Sequence, residues 1–471
     1  MGGAAGVTGG EIAAEIVAGP QPGDPAARSR PGLLVVGASE IVTLAGGLRR
    51  GSSQADPGLL VAEAPPGRDD LGPAIAAWEG RVVAVGTLAQ VQTRLAGDGL
   101  DPLDTTRFAR LDASGCTVTP GLVDPHTHLV FAGTREGEIA LRQRGATYLE
   151  ILAAGGGILS TVAQTRAASA DELLAHGRRW LAEMLAHGST TVEAKSGYGL
   201  DRETEVRQLA VTGRLDAEGP VEVVPTFLGA HAVAPEYRGR PDATEAYVRD
   251  VIEVQLPAVA EQGIARFCDV FCEEGVFSAE QSRRVLLAGA RLGLTPRLHA
   301  DELRPSGGAE LAAELGAAAA DHLAVPSKAG IDALAAANDA GVPVVATLLP
   351  ATSFFLKHDE YGPARELIER GVPLALGSDF NPGTSPTLGL QLVMSLAVLR
   401  LGLTPAEALA AVTVNAAHAL RLGRTHGALE PGRQADLAVW AVPSHSLIPY
   451  WLGASLVRAV VKRGQVVFAR S

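Results

Sequence analysis

The sequence predicts an α/β fold: a (β/α)8 TIM-type barrel with a small β-sandwich domain formed from both chain ends. Three observations lead there. Between about residues 117 and 425, short apolar runs alternate with amphipathic stretches. The runs number eight, and several of them end in His or Asp. Strand-like segments rich in Val, Leu and Ala, bounded by Gly, occupy both ends of the chain. Repeated strand-then-helix units predict a parallel sheet covered on both faces. Eight of them predict a closed barrel whose site lies at the C-terminal strand ends. A doubly wound open sheet is the structural alternative.

The 471 residues are sufficient for this plan. The expected divisions are a loose tail over 1–31, half of the sandwich over 32–116, the barrel over 117–426 and the other half of the sandwich over 427–471. The first thirty residues lack a basic start and a sustained apolar run, so no signal peptide is read there. In the N-terminal half, LLVVGASEIVTLAG and RVVAVGT read as strands. In the C-terminal half, VVKRGQVVF reads as a hairpin turning near Arg463-Gly464.

Within the barrel, the strand leading into PHTH is followed by a helix. Its start is marked by Ser169 and Glu172 as a capping box, and its end by Gly188. Leu173, Leu174, Trp180, Leu181, Met184 and Leu185 share one face of it. STTVEAKSG precedes a helix from Asp201, and VEVVPTFLGAH precedes one from Asp242. FCDVFC precedes a helix capped by Ser278 and Gln281. TPRLHADEL, AAAADHL, VPVVATLLP and PLALGSDF supply the remaining strands. A last helix, TPAEALAAVTVNAAHALRLG, starts at Thr404-Pro405 with Glu407 in position to cap it.

Composition narrows the function. The net charge is −12 with no basic cluster, which argues against nucleic acid and anionic membranes as partners. No apolar stretch is long enough to span a bilayer. Three cysteines in so long a chain suggest a reducing compartment, and the cytoplasm is expected. Cys268 and Cys272 read as buried thiols rather than metal ligands.

The chemistry-bearing residues gather at strand ends. His126 and His128 are two apart, and in an extended chain that spacing sends both imidazoles to one side. His299, Asp321-His322 and Asp379 end other strands. A cation that activates water wants neutral imidazoles, a carboxylate and an open position. His126, His128, His299 and Asp379 supply such a set. His231 and His322 are left to ligate, bind substrate or stabilise an oxyanion. His176, His187, His358, His418, His426 and His445 read as surface or structural. Glycines 155–157 suggest a flexible loop over the site, and neither phosphate-binding glycine motif is present.

PGLVDPHTH, with His on strands five and six and Asp on strand eight, resembles the amidohydrolase superfamily. Within it, HLVFAGTREGEIALRQRGATYLEILAAGGGILSTV, VEAKSGYGLD, TFLGAHAVAPEYRGR, FCDVFCEEGVFS, HADEL, ADHL, LPATSFFL and ALGSDFNPGTSPT resemble the imidazolonepropionase family over most of residues 115–425. The resemblance implies hydrolytic ring opening of 4-imidazolone-5-propanoate to N-formimidoyl-L-glutamate in histidine degradation. It implies one Zn2+ or Fe3+ per subunit on His126, His128, His299 and Asp379, and a homodimer. It assigns substrate contacts to Arg135, Tyr148, Tyr198, His231, Glu302, Asn381, Gly383 and Thr384. Asp379, Glu302 or both would manage the proton, while His322, with His231 as a further candidate, would stabilise the oxyanion. Some superfamily relatives hold two metals on a carboxylated lysine. Lys195, near the end of strand two, does not match that bridge, so one metal is expected. Competing expectations are another cyclic-amide hydrolase, a nucleobase deaminase of the same superfamily, or a non-catalytic barrel scaffold.

Overall fold

Eight parallel strands follow one another around a barrel in chain order in the computed structural model, which describes residues 30–61, 72–145 and 156–470. The strands are Leu122–Asp124, Ser189–Lys195, Glu222–Ala230, Phe267–Cys272, Leu298–Ala300, Ala319–His322, Val345–Leu348 and Leu374–Leu376. They are the eight expected from the sequence. The seam between the last and the first is closed just beyond the regular strands. There the Asp379 amide donates to the His126 carbonyl at 3.0 Å and the His128 amide to the Phe380 carbonyl at 2.8 Å. Three residues of the expected metal set therefore sit on the closing stitch itself.

The helices start where capping chemistry places them. Ser169 with Glu172, Ser278 with Gln281 and Thr404 with Glu407 all form reciprocal boxes. Asp201 accepts from the Thr204 amide at its own helix start. Leu173, Leu174, Leu181, Met184 and Leu185 are buried against the barrel, and Trp180 packs at their edge. The segment after Thr404 is not one helix but two, Pro405–Ala411 and Val414–Ala419. The break has a cause: the Val412 carbonyl turns out of the helix to accept the Val123 amide of the first barrel strand at 2.8 Å.

Both chain ends build the second layer. One sheet orders Gln465–Ala469, Val457–Lys462, Leu437–Trp440, Thr117–Pro120, Glu40–Val42 and Leu59–Val61. The other orders Arg81–Thr87, Pro73–Trp78, Gly32–Val36 and Phe108–Asp112. Leu33, Val35, Ile75, Val82, Val118, Leu437, Val439 and Val461 fill the space between them, each worth about 1.5–3 kcal/mol of burial. The expected hairpin forms, with Arg463 and Gly464 both at positive φ, as its two-residue turn requires. The N-terminal half also holds a helix, Leu88–Ala96, that the strand reading passed over, although Thr87 and Gln90 box its start. Thr117–Pro120 pairs in the end sheet, and Gly121 makes the step into the barrel. A side chain at Gly121 would meet Thr190 at 2.4 Å.

No helix among the described residues is long and apolar enough to cross a membrane. The tail reading for 1–31 lies almost wholly outside the described residues, as do Tyr148 and Gly155.

Candidate metal centre and active site

Four side chains converge on one point inside the barrel mouth. His126 Nε2 lies 3.4 Å from Asp379 Oδ1, His128 Nε2 lies 3.5 Å from the same oxygen, and His299 Nε2 lies 3.4 Å from His128 Nε2. Tetrahedral ligands at about 2.1 Å from a common ion stand about 3.4 Å from one another. The four atoms thus already have the spacing of a coordination shell. His126 Nε2 is buried without a hydrogen-bond partner among the described residues. A buried ring nitrogen without a partner is costly unless another group belongs beside it. His126, His128 and His299 with Asp379 therefore fit a single metal ion.

Buried carboxylates aim the ligands. His126 Nδ1 pairs with Asp321 Oδ2 at 2.8 Å and His299 Nδ1 with Asp269 Oδ1 at 3.0 Å. Each contact fixes the ring so that Nε2 faces the centre, an arrangement typical of metal-bound imidazoles. Asp379 Oδ2 accepts the Thr352 hydroxyl at 2.7 Å, which leaves Oδ1 for the ion. Asp379, His322 and Asp301 all have positive φ, so three strand ends carry backbone strain of the kind concentrated at functional sites.

The environment separates the protonation states. Burial opposes charge on His126, but Asp321 and Asp379 outweigh it and lift the imidazole to about 9. Asp379 is held well below the usual carboxylate range: burial pushes it up, and the two histidines beside it pull it further down. Burial lowers His128 to about 4 and His322 to about 3, so both are neutral near pH 7. Glu302 is different. Desolvation, with the charge of Asp379, raises it to about 7, the range of a working acid–base group. Its carboxylate is 3.7 Å from His322 Nε2.

His231 stacks on His128 with ring centroids 4.9 Å apart and packs against Tyr198 at 5.4 Å. Its Nδ1 donates to the Gly197 carbonyl at 3.0 Å. Burial holds the ring well below its ordinary pKa, so it is neutral. Nε2 is then an acceptor, which argues against the oxyanion role expected for His231 and for a role in binding an N–H group.

The loop after Asp379 is stitched by one side chain. Asn381 Oδ1 accepts the amides of Gly383 and Thr384, each at 2.8 Å. Its Nδ2 donates to the Asp379 carbonyl at 2.7 Å. Arg135 reaches this loop: a Cβ on Gly383 would lie 1.9 Å from Arg135 Nη1, so only glycine admits the guanidinium. Nε and Nη2 of Arg135 both donate to Glu138, each at 3.0 Å. Glu138 also accepts the Gly157 amide at 2.7 Å.

The structure thus brings together His126, His128, His299, Asp379, His322, Glu302, His231 and Tyr198. Arg135, Asn381, Gly383 and Thr384 form an adjoining group. Sequence reasoning missed the supports Asp269, Asp321, Glu138 and Thr352. His358, read from the sequence as surface or structural, lines a small pocket with Glu302, His322 and Tyr361. A signal existed for Asp269: it is the one acid in the apolar strand FCDVFC. Cys268 and Cys272 are buried free thiols, as expected, and burial pushes both upward.

Residues 228–467 match the Amidohydrolase family. The chain is 53% identical to an imidazolonepropionase of Geobacillus kaustophilus over 82% of its own length and 88% of that protein's. It is 49% identical to an imidazolonepropionase of Symbiobacterium thermophilum over 92% and 97%. The chain belongs to the imidazolonepropionase family of the amidohydrolases. Solved structures share the fold at low identity. A zinc-bound adenosine deaminase from Xanthomonas campestris superposes with a TM-score of 0.60 at 20% identity, covering 92% of each chain. A 5-methylcytosine deaminase from Klebsiella pneumoniae gives 0.66 at 16%, covering 93% of this chain and 98% of its own. In this imidazolonepropionase-family chain the loop after Asp379 carries the Gly383 that Arg135 reaches, so the Arg135 group adjoins the histidine–aspartate cluster.

Proposed function

We propose that the chain hydrolyses 4-imidazolone-5-propanoate to N-formimidoyl-L-glutamate, with one zinc or iron ion on His126, His128, His299 and Asp379. The observation that carries this reading is the pairing of a histidine–aspartate centre with the Arg135–Gly383 contact, beside a family match over most of the chain. When bound, the metal supplies a water of lowered pKa and a Lewis acid for the ring carbonyl.

The protein's own groups do the rest. Arg135, pinned by Glu138, offers Nη1 to the propanoate, and the Asn381-ordered loop shapes that end. His231 Nε2 accepts a ring N–H, Tyr198 contributes to the same wall, and Tyr148 is kept as a further substrate contact on the family resemblance alone. Glu302 takes a proton from the attacking water and returns it to the ring nitrogen as the C–N bond breaks, so the proton count balances. His322, neutral through burial, donates to the carbonyl oxygen as negative charge develops there. Asp379 stays ionised and serves as ligand, with Glu302 as the group that moves the proton. The reading includes a homodimer working in the cytoplasm, which sedimentation at twice the chain mass and cell fractionation check.

Turnover of freshly made 4-imidazolone-5-propanoate tests the reaction, with dihydroorotate, hydantoin and cytosine as controls. Selective opening of the imidazolone that is lost on chelation is expected. Metal-loaded protein that ignores the imidazolone but turns over cytosine would replace this reading with a nucleobase deaminase.

A further inference from the structure

We propose that Lys195 is the positioning residue that keeps the metal ligands in register, one buried ammonium joining the supports of three ligand positions. The inference rests on the reading that the histidine cluster holds a metal.

Lys195 ends the second barrel strand and is fully buried. Its Nζ donates to Glu193 Oε1 at 2.8 Å and to Asp269 Oδ2 at 2.7 Å, and stands 3.6 Å from Asp321 Oδ2. Each of these carboxylates has a second task. Glu193 Oε2 accepts the amide of Thr127, the residue between His126 and His128, at 3.1 Å. Asp269 Oδ1 holds both Nδ1 and the amide of His299, at 3.0 and 3.2 Å. Asp321 Oδ2 holds Nδ1 of His126. The Lys195 amide itself donates to the Thr127 carbonyl at 3.0 Å. One side chain thereby ties together the first, second, fourth and sixth barrel strands and steers His299 on the fifth.

Electrostatics explains why a cation is needed there. Glu193, Asp269 and Asp321 crowd a dry interior where like charges repel strongly. Arg297 answers Asp321 at 2.9 Å. Lys195 touches both Glu193 and Asp269. Carboxylation would remove this charge, and it also requires a neutral amine to add to carbon dioxide. Burial opposes the ammonium, yet Asp269 and Glu193 outweigh it and hold Lys195 protonated. Lys195 is therefore an internal counter-ion in this chain and not a metal bridge.

The test is Zn2+ affinity of the full chain, measured by competition with a chromophoric chelator, for wild type and Lys195→Met. Loss of a support of this kind weakens metal binding by about 10–100-fold. The melting-temperature gap between zinc-loaded and metal-free protein should shrink in parallel. A merely structural lysine would lower both melting temperatures together and leave the gap unchanged. Glu193→Gln/Lys195→Met, which removes one charge of each sign, gives the same weakening and serves if the single variant does not fold. Zn2+ affinity within twofold of wild type in either folded variant overturns the proposal. Wild-type protein that binds no Zn2+ overturns the metal reading instead.

Discussion

Two buried charge clusters sit at opposite ends of the barrel strands, built from the same residue types and finished differently. At the N-terminal end, Glu222 opens the third strand and meets His426 at 3.1 Å and Lys462 at 3.3 Å, while Lys462 also pairs with Asp436 at 2.8 Å. His426 uses both ring nitrogens, Nδ1 on Thr425 and Nε2 on Glu222. At the C-terminal end, His126 Nε2 lacks a hydrogen-bond partner among the described residues, and positive φ recurs at Asp301, His322 and Asp379. The first cluster is closed and fastens the sandwich to the barrel. The second is left open toward a shared point, and that incompleteness marks it as functional.

The sharpest way to break the comparison is His126→Ala. It should abolish metal binding and reduce turnover by at least about a thousandfold, because ion and activated water leave together. Metal content and initial rates read this directly.

Glu302→Gln comes next. Turnover should fall by about 10²–10⁴-fold, the usual contribution of a positioned acid–base group. In wild type, kcat should decline on the acid side as Glu302 gains its proton. The cation's charge draws that limb below the value of about 7 found for the metal-free chain. Stability should move the other way. The folded-state pKa of Glu302 lies above its unfolded value. Wild type therefore loses stability between about pH 4.5 and 7 as the unfolded chain ionises first, and stays destabilised above that range. Metal-free Glu302→Gln should accordingly be more stable at pH 8 by roughly 3 kcal/mol, seen in urea titrations.

Arg135→Ala should raise KM by about 30–100-fold with kcat little changed, as expected for a group that holds the unreacting tail. Glu138→Gln should give a smaller rise in KM, because the guanidinium remains but loses its anchor. Unchanged KM in both would detach the propanoate from this site.

The smallest effect on catalysis belongs to the closed cluster. His426→Gln should cost about 1–3 kcal/mol of stability through the stranded Glu222 contact. Metal content and kcat should remain within twofold of wild type, measured on the same preparations.

Strands, caps and the inward-facing histidine pair were legible because each has a short-range signature. His126-Thr127-His128 shows the two-residue period of a strand, and Ser169 with Glu172 shows the three-residue period of a cap. Lys195, Asp269 and Asp321 were harder to read because their meaning lies between strands far apart in the chain. A lone acid in FCDVFC signals an inward charge but does not name His299 as its partner. The helix break at Val412 was hidden for a similar reason, since local propensity there favours helix throughout. Only the first barrel strand, nearly three hundred residues earlier, claims its carbonyl.

The central claim is that the open cluster is a one-metal catalytic centre. Elemental analysis by mass spectrometry of purified wild type and His126→Ala, paired with imidazolone turnover of the same samples, tests it most directly. The account predicts one zinc or iron per wild-type chain, with metal and turnover both absent from the variant. Turnover by metal-free wild type, or a variant that keeps both, would contradict it.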